Sequence, residues 1–416
     1  MVGVYAGVPL QDSANTWRHG AVFLLRKAAR RSASVSLDGW VTAVVERAKI
    51  VVTCGPSTAT NFDETFTEAL TAANRGLDYL SVRGQADCAI RDAADDCLVW
   101  WPDSVVGGIV MRCTAVATMT TTFSATGTVK DAAGNVVPSP PPPRAIAHDV
   151  FRFVRMCRTS DDLYDSYRNL FLAFECLLCD LRPPQQLPNG RWEGEKQWFT
   201  AAVAVADQLV PLANLAPSGT ANPVDWIYRN IYSAERSALM HAKRQYLLPQ
   251  DDASKQQITA SLGKLWTYIA ELIDKHLGVT HLSGGLSLSA VEVMATAVLT
   301  QFAMVVSDDD STPVNLEGEN LIAPGSAAVE LHPSTPAADP EDPRLWILLA
   351  HCDAAELAEL SAIRRFGLKK SDSDDPPHVL SELVGPLAFD NTIARLEMAH
   401  GFRHVNPSAA PRQFSS

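Results

Sequence analysis

The chain has 416 residues, 47% hydrophobic and 20% charged, with a net charge of -12 and a pI near 5.3. That length calls for two or three cores, and the composition is that of a folded globular chain. The acidic balance excludes a surface that coats nucleic acid broadly and leaves room for a small basic groove.

In chain order, the opening residues lack the basic and apolar regions of a signal peptide, so a cytoplasmic chain is expected. "AKIVVTC" (48–54) reads as a buried strand. "FDETFTEALTAANRGLDYL" (62–80) reads as a helix, because Phe66, Ala69, Leu70, Ala73, Leu77 and Leu80 recur at three- and four-residue intervals. "CLVWW" (97–101) and "GIVMRCTAVATMTTTFSATGTV" (108–129) read as strands, the latter as two. Residues 1–137 are therefore predicted as an α/β domain of unknown role. "VPSPPPPR" within the linker region 138–147 cannot continue a strand or helix.

Residues 148–278 read as four amphipathic helices, at 161–181, 194–212, 222–247 and 254–277, forming a bundle. In the third, Asn222 can cap, Pro223 suits the first turn, and Pro249 follows the end. Residues 279–416 are expected to be mixed and mostly helical, with "RLWILLAHCDAAELAELSAIRRFG" (344–367) a helix and the last residues a tail. "VEVMATAVLTQFAMVV" (291–306) fits strand or helix; with Glu292 and Gln301 it is no membrane span. The fold class is α+β.

The cysteines are scattered, as suits reduced buried thiols. Cys176 and Cys179 form the one close pair, mid-helix in "LFLAFECLLCDL", where core packing is expected. No second CxxC or HxxxH accompanies them, so neither a metal nor another cofactor is predicted.

The third helix concentrates positive charge. Arg229, Arg236 and Lys243 recur every seven residues, two turns apart, and line one stripe. Asn230, Ser237, His241 and Arg244 make a second polar stripe. Arginine grips phosphate and histidine moves protons near neutral pH, so Arg236 with His241 is a candidate pair for metal-free RNA cleavage. Twenty-five arginines and ten histidines in this length give one fixed spacing roughly 0.6 times by chance, so the pair matters through its context. Arg395 with His400 and Arg344 with His351 lack such a helical setting. On a regular helix the five-residue step turns the two side chains about 140° apart, so convergence needs a distortion or a second subunit. A structural histidine remains the alternative for His241, a structural ion pair for Glu175, and solvated charge for Lys243 and Arg244. Buried in an apolar run, Glu175 needs a partner, with Arg236 or Arg168 the candidates.

The helix "LFLAFECLL" with its acid, "ERSALMH" some sixty residues on, and a closing helix resemble the HEPN superfamily, especially its ApeA-like branch. The resemblance covers 148–278. It implies an Arg-x4–6-His motif on a helical bundle, frequent homodimerisation, and either metal-independent endoribonuclease activity or a non-catalytic RNA-binding or scaffold role. Carried over residue by residue, Arg236 and His241 are the catalytic pair and Glu175 the supporting acid; Ser237 stands beside them as a second supporting candidate, and the neighbouring cations Arg229, Lys243 and Arg244 are candidates to hold RNA phosphates. Active members commonly have Asn, Asp or His where Ser237 stands. "HAKRQYLLP" (241–249) and the three-part layout also resemble the methylamine-utilisation protein J family, which implies an accessory role.

Overall fold

A computed structural model describes residues 2–10, 18–119, 132–136, 145–160, 162–240, 247, 252–281, 288–314, 320–333, 336–339, 344–371, 373–389 and 392–404. The first stretch forms β1 (Gly3–Tyr5), β2 (Val8–Pro9), β3 (His19–Leu24), β4 (Ala33–Leu37), β5 (Trp40–Val44), β6 (Ile50–Gly55), α1 (Phe62–Val82), β7 (Asp96–Asp103) and β8 (Gly108–Met119). Helices follow: α2 (Val150–Thr159), α3 (Leu163–Leu181), α4 (Glu195–Ala206), α5 (Pro223–Ile227), a π-helical stretch (Tyr228–Arg236), α6 (Ser237–Met240) and α7 (Asp252–Leu277). The chain then gives α8 (Leu288–Leu299), β9 (Phe302–Ser307), β10 (Ala328–Glu330), β11 (His332–Pro333), β12 (Ala337–Ala338), β13 (Leu345–Asp353), α9 (Ala354–Leu357), β14 (Ile363–Lys370), β15 (His378–Phe389) and β16 (Ile393–His404). The class is α+β.

Two compact units result. One draws on Met1–Ala117 together with Ser287–Arg403, the other on Thr118–Leu286 together with His404–Ser416. The region expected as a separate C-terminal segment therefore shares a unit with the N-terminal strands.

Among the described residues, the first unit holds a six-stranded sheet in the order β10-β9-β14-β15-β1-β2. Its second sheet has ten strands, in the order β11-β13-β16-β8-β7-β3-β6-β5-β4 with β12 on β13. In β3, Ala21 and Phe23 pack in the cluster that includes Phe66, Ala69, Leu70 and Leu77 of α1. Val22 points to the other face, so the strand is apolar on both sides, as a doubly covered strand must be. Asn61 caps α1 by accepting from the Glu64 amide at 3.0 Å, as the apolar spacing and the polar start of that helix lead one to expect.

The mostly helical reading of 279–416 is corrected. Residues 345–353 are a strand, paired antiparallel with β16 from Leu345↔Arg403 to Asp353↔Arg395. Trp346, Leu348, Ala350 and Cys352 are buried in alternation, a period of two that the continuous run "LWILLA" conceals. The run at 291–306 is both helix and strand, α8 followed by β9. Strand β8 covers the first part of 108–129; 120–131 lie outside the described residues.

The second unit buries one apolar core, including Leu170, Phe171, Phe174, Phe199, Ile231, Leu262 and Ile269. Its helices include α2, which the four-helix reading omitted. The predicted 194–212 helix stops at Ala206, and the predicted 222–247 helix changes from α to π and back.

Candidate functional site

Asp162 starts α3 by accepting from the Tyr164 and Asp165 amides at 3.0 and 3.1 Å. The helix buries Tyr167, Leu170, Phe171, Phe174, Leu177 and Leu178 and leaves Glu175 at the edge of that stripe. Asn222 caps α5 through the Asp225 amide at 3.1 Å. Beyond it the backbone widens to π-helix over Tyr228–Arg236, where residues five apart share a face. The Ser237 hydroxyl accordingly donates to the Tyr232 carbonyl at 3.4 Å.

This widening turns Glu235 inward. It is 8% exposed, and its carboxylate accepts from Tyr167 Oη at 2.8 Å and Ser261 Oγ at 2.6 Å. Arg236 is set at the flank. Its guanidinium lies 4.9 Å from the Tyr232 ring centre, with Nη2 3.6 Å from Glu195 and 3.9 Å from Glu175. These separations are ion pairs beyond hydrogen-bond reach. Burial raises the Glu175 carboxyl above its ordinary range; Arg236 opposes that rise and Glu195 adds to it.

The structure thus joins Glu175 with Arg236, while the other candidate, Arg168, pairs with Asp165 at 2.8 Å. Ser237 donates its hydroxyl within its own helix. Arg229 is exposed and holds Asp225 at 2.7 Å. His241, Lys243 and Arg244 lie outside the described residues. Of the rival pairs, Arg395 and His400 sit five apart on a strand and so face opposite ways: Arg395 holds Asp353 and His400 is buried. Cys176 is partly buried and packs against the helical core as expected, whereas the expectation is corrected for Cys179, which is exposed. Among the described residues no group of three His, Cys, Asp or Glu side chains is placed to hold a metal ion.

A groove of about 990 Å³ opens on α2 and α3, lined by His148, Arg152, Arg155, Cys176, Cys179 and Asp180 among others. Arg152 and Arg155 are exposed and three residues apart, hence on one helix face. His148 accepts from the Val150 amide through Nδ1 at 3.2 Å, which leaves Nε2 toward Asp180 at 3.7 Å. Asp180 is also in contact with His276 of α7. Sequence reasoning missed this groove. The signal was the three-residue spacing of Arg152, Arg155 and Arg158 just after the proline run.

No family model, curated protein or solved structure matches this chain.

Proposed function

We propose that the helical unit is a non-catalytic, HEPN-like RNA-binding module. Arg236 is a structural ion-pair centre in it, and the α2–α3 groove takes the RNA backbone. The supporting observation is the pairing of the cationic stripe. Arg229 is matched by Asp225, and Arg236 stands against both Glu175 and Glu195. A phosphate nearing Arg236 also nears two carboxylates, and the like charges repel. Asp149 and Asp180 also line the α2–α3 groove, so what distinguishes it is cations free for a ligand: Arg152 and Arg155 take part in no ion pair among the described residues, and two phosphates of a single strand fit their spacing on α2.

A second reading, the metal-independent endoribonuclease, is favoured by one observation. Glu175 combines a raised carboxyl with an adjacent fixed cation beside a π-helical distortion, a combination found at acid–base sites. In that reading His241 or Glu175 takes the 2′-hydroxyl proton and Arg236 holds the scissile phosphate.

Labelled single-stranded RNA incubated with the full chain in EDTA separates the two. The proposal expects RNA that is bound and intact. Arg152→Ala and Arg155→Ala should each lower the salt dependence of binding by about one, while Arg236→Ala keeps the affinity. Cleavage that disappears in folded Arg236→Ala and His241→Ala proteins replaces the proposal with the nuclease. RNA neither bound nor cut removes both. Sedimentation of the same protein reads whether the helical unit dimerises, as the resemblance implies.

A further inference from the structure

The two sheets of the first unit enclose a cavity of about 140 Å³, with walls from β1, β3, β7, β8, β14, β15 and β16. His400 on β16 is 1% exposed, and among the described residues neither of its ring nitrogens has a hydrogen-bond partner. Ser381, in the opposite sheet on β15, buries its hydroxyl oxygen, also without a partner among the described residues. A buried polar group left unpaired costs about 1–3 kcal/mol. Two of them facing one space from different sheets form a polar edge inside a wall that is otherwise largely apolar, with Val22, Leu98, Phe366, Leu383 and Leu387.

The chemistry of a ligand follows from size, charge and hydrogen bonding. A cavity of about 150 Å³ accommodates a six-membered ring. A fused bicycle crowds the same volume more and is the poorer guest. The acids at the wall are already matched, Glu382 with Arg365 at 2.7 Å and Asp96 with Arg91, so an ionic guest would be desolvated with no counter-charge. Burial keeps the His400 ring neutral, which leaves one donor and one acceptor nitrogen, and the serine hydroxyl offers both roles.

We propose that this inter-sheet cavity binds a small uncharged monocyclic heterocycle, of pyrimidine-base size, whose donor–acceptor edge pairs with His400 and Ser381. The site lies wholly in the first unit and does not rest on the RNA-binding reading. Uracil is the probe, with benzene and adenine as controls for polarity and size, read by calorimetry and by thermal unfolding of the full chain. Saturable uracil binding that raises the melting temperature is expected, with benzene and adenine weaker. His400→Leu and Ser381→Ala should each weaken uracil by about tenfold, the loss of one hydrogen bond. Should His400→Leu not fold, Ser381→Ala alone decides, since it removes only a hydroxyl oxygen. Uracil that fails to bind at millimolar concentration overturns the proposal, as does uracil affinity unchanged from the native chain in both variants, or adenine bound as tightly as uracil. Persistence of uracil binding in Arg152→Ala keeps this result separate from the fate of the RNA reading.

Discussion

His400 and Glu235 are both buried ionisable residues, and the structure treats them oppositely. Glu235 has two hydroxyl donors, Tyr167 and Ser261. Among the described residues His400 has no hydrogen-bond partner, only the Phe402 ring 4.7 Å away, and burial lowers it to about 4. The titratable groups facing its cavity are Tyr5 on β1, Asp96 and Cys97 on β7, Cys113 on β8 and Glu382 on β15. Burial raises Tyr5, Cys97 and Cys113 and keeps them neutral, while Asp96 and Glu382 are matched by Arg91 and Arg365, so none of the five supplies an uncompensated charge. The unfolded histidine titrates near 6.5, so between about 4 and 6.5 the unfolded chain binds the extra proton. Stability contributed by the neutral ring is complete above that window and is lost as pH falls through it. The loss amounts to roughly 3 kcal/mol at about 1.4 kcal/mol per pH unit. Urea unfolding at pH 7 and pH 4.5 should show a smaller difference for His400→Leu than for the native chain; an unchanged difference places the acid sensitivity elsewhere.

At the scale of elements, legibility followed the strength of a single period. Helix α1 was readable because one face is apolar and the other polar; its core residues Phe66, Ala69, Leu70, Ala73, Leu77 and Leu80 are all buried. Strand β13 was not, because "LWILLA" has no polar residue to mark the alternation and "AAEL" after it does form a short helix. The π-helical stretch was equally hidden: an α-period fits 222–247 well, and only the tertiary demand to turn Glu235 toward Tyr167 and Ser261 distinguishes the wider turn. For the candidate site, the Glu175–Arg236 contact was legible from the need of a half-buried acid for a cation. Glu195 was not, since nothing local in its sequence ties it to Arg236. Packing also overrides propensity in α1. Gly76 sits mid-helix, where alanine would ordinarily gain about 1 kcal/mol. A Cβ there would lie 2.4 Å from the Thr42 side chain on β5, so the helix approaches the sheet as closely as glycine allows. Thr42 is itself buried, near the Thr53 hydroxyl at 3.3 Å, and has little freedom to retreat. The overpacking term of roughly 1–3 kcal/mol outweighs the propensity gain. Gly76→Ala should lower the melting temperature, whereas a rise would mean that α1 lifts from the sheet without cost.

Along the sequence, the main segment of the helical unit falls between the two segments of the β-rich one. Two ion pairs join the pieces of the β unit across the sequence. Arg112 on β8 meets Glu397 on β16 at 2.7 Å, and Asp95 beside β7 meets Arg403 at 2.6 Å, spanning 285 and 308 residues. Strand β1 pairs with β15, and β8 neighbours β16 in its sheet. Residues 1–117 alone would leave β8 as an open edge and β1 with only its hairpin partner, with apolar surface on Val22, Leu98 and Trp100 uncovered. Among the described residues, the helical unit adds to the sheets only the last residues of β8 and β16. An insertion of that kind can be excised if its ends are bridged. A chain in which residues 118–286 are replaced by a flexible Gly/Ser linker should therefore unfold in one cooperative transition with a β-type circular dichroism spectrum. The fragment 1–117 should show neither cooperativity nor protected amides. Long-range pairing also makes closure slow, so the linked chain should refold faster than the native one, its two halves being tethered by a shorter loop. A cooperative fragment 1–117 would mean that the N-terminal strands form a core of their own, and the strands from the far end would then be an accessory layer.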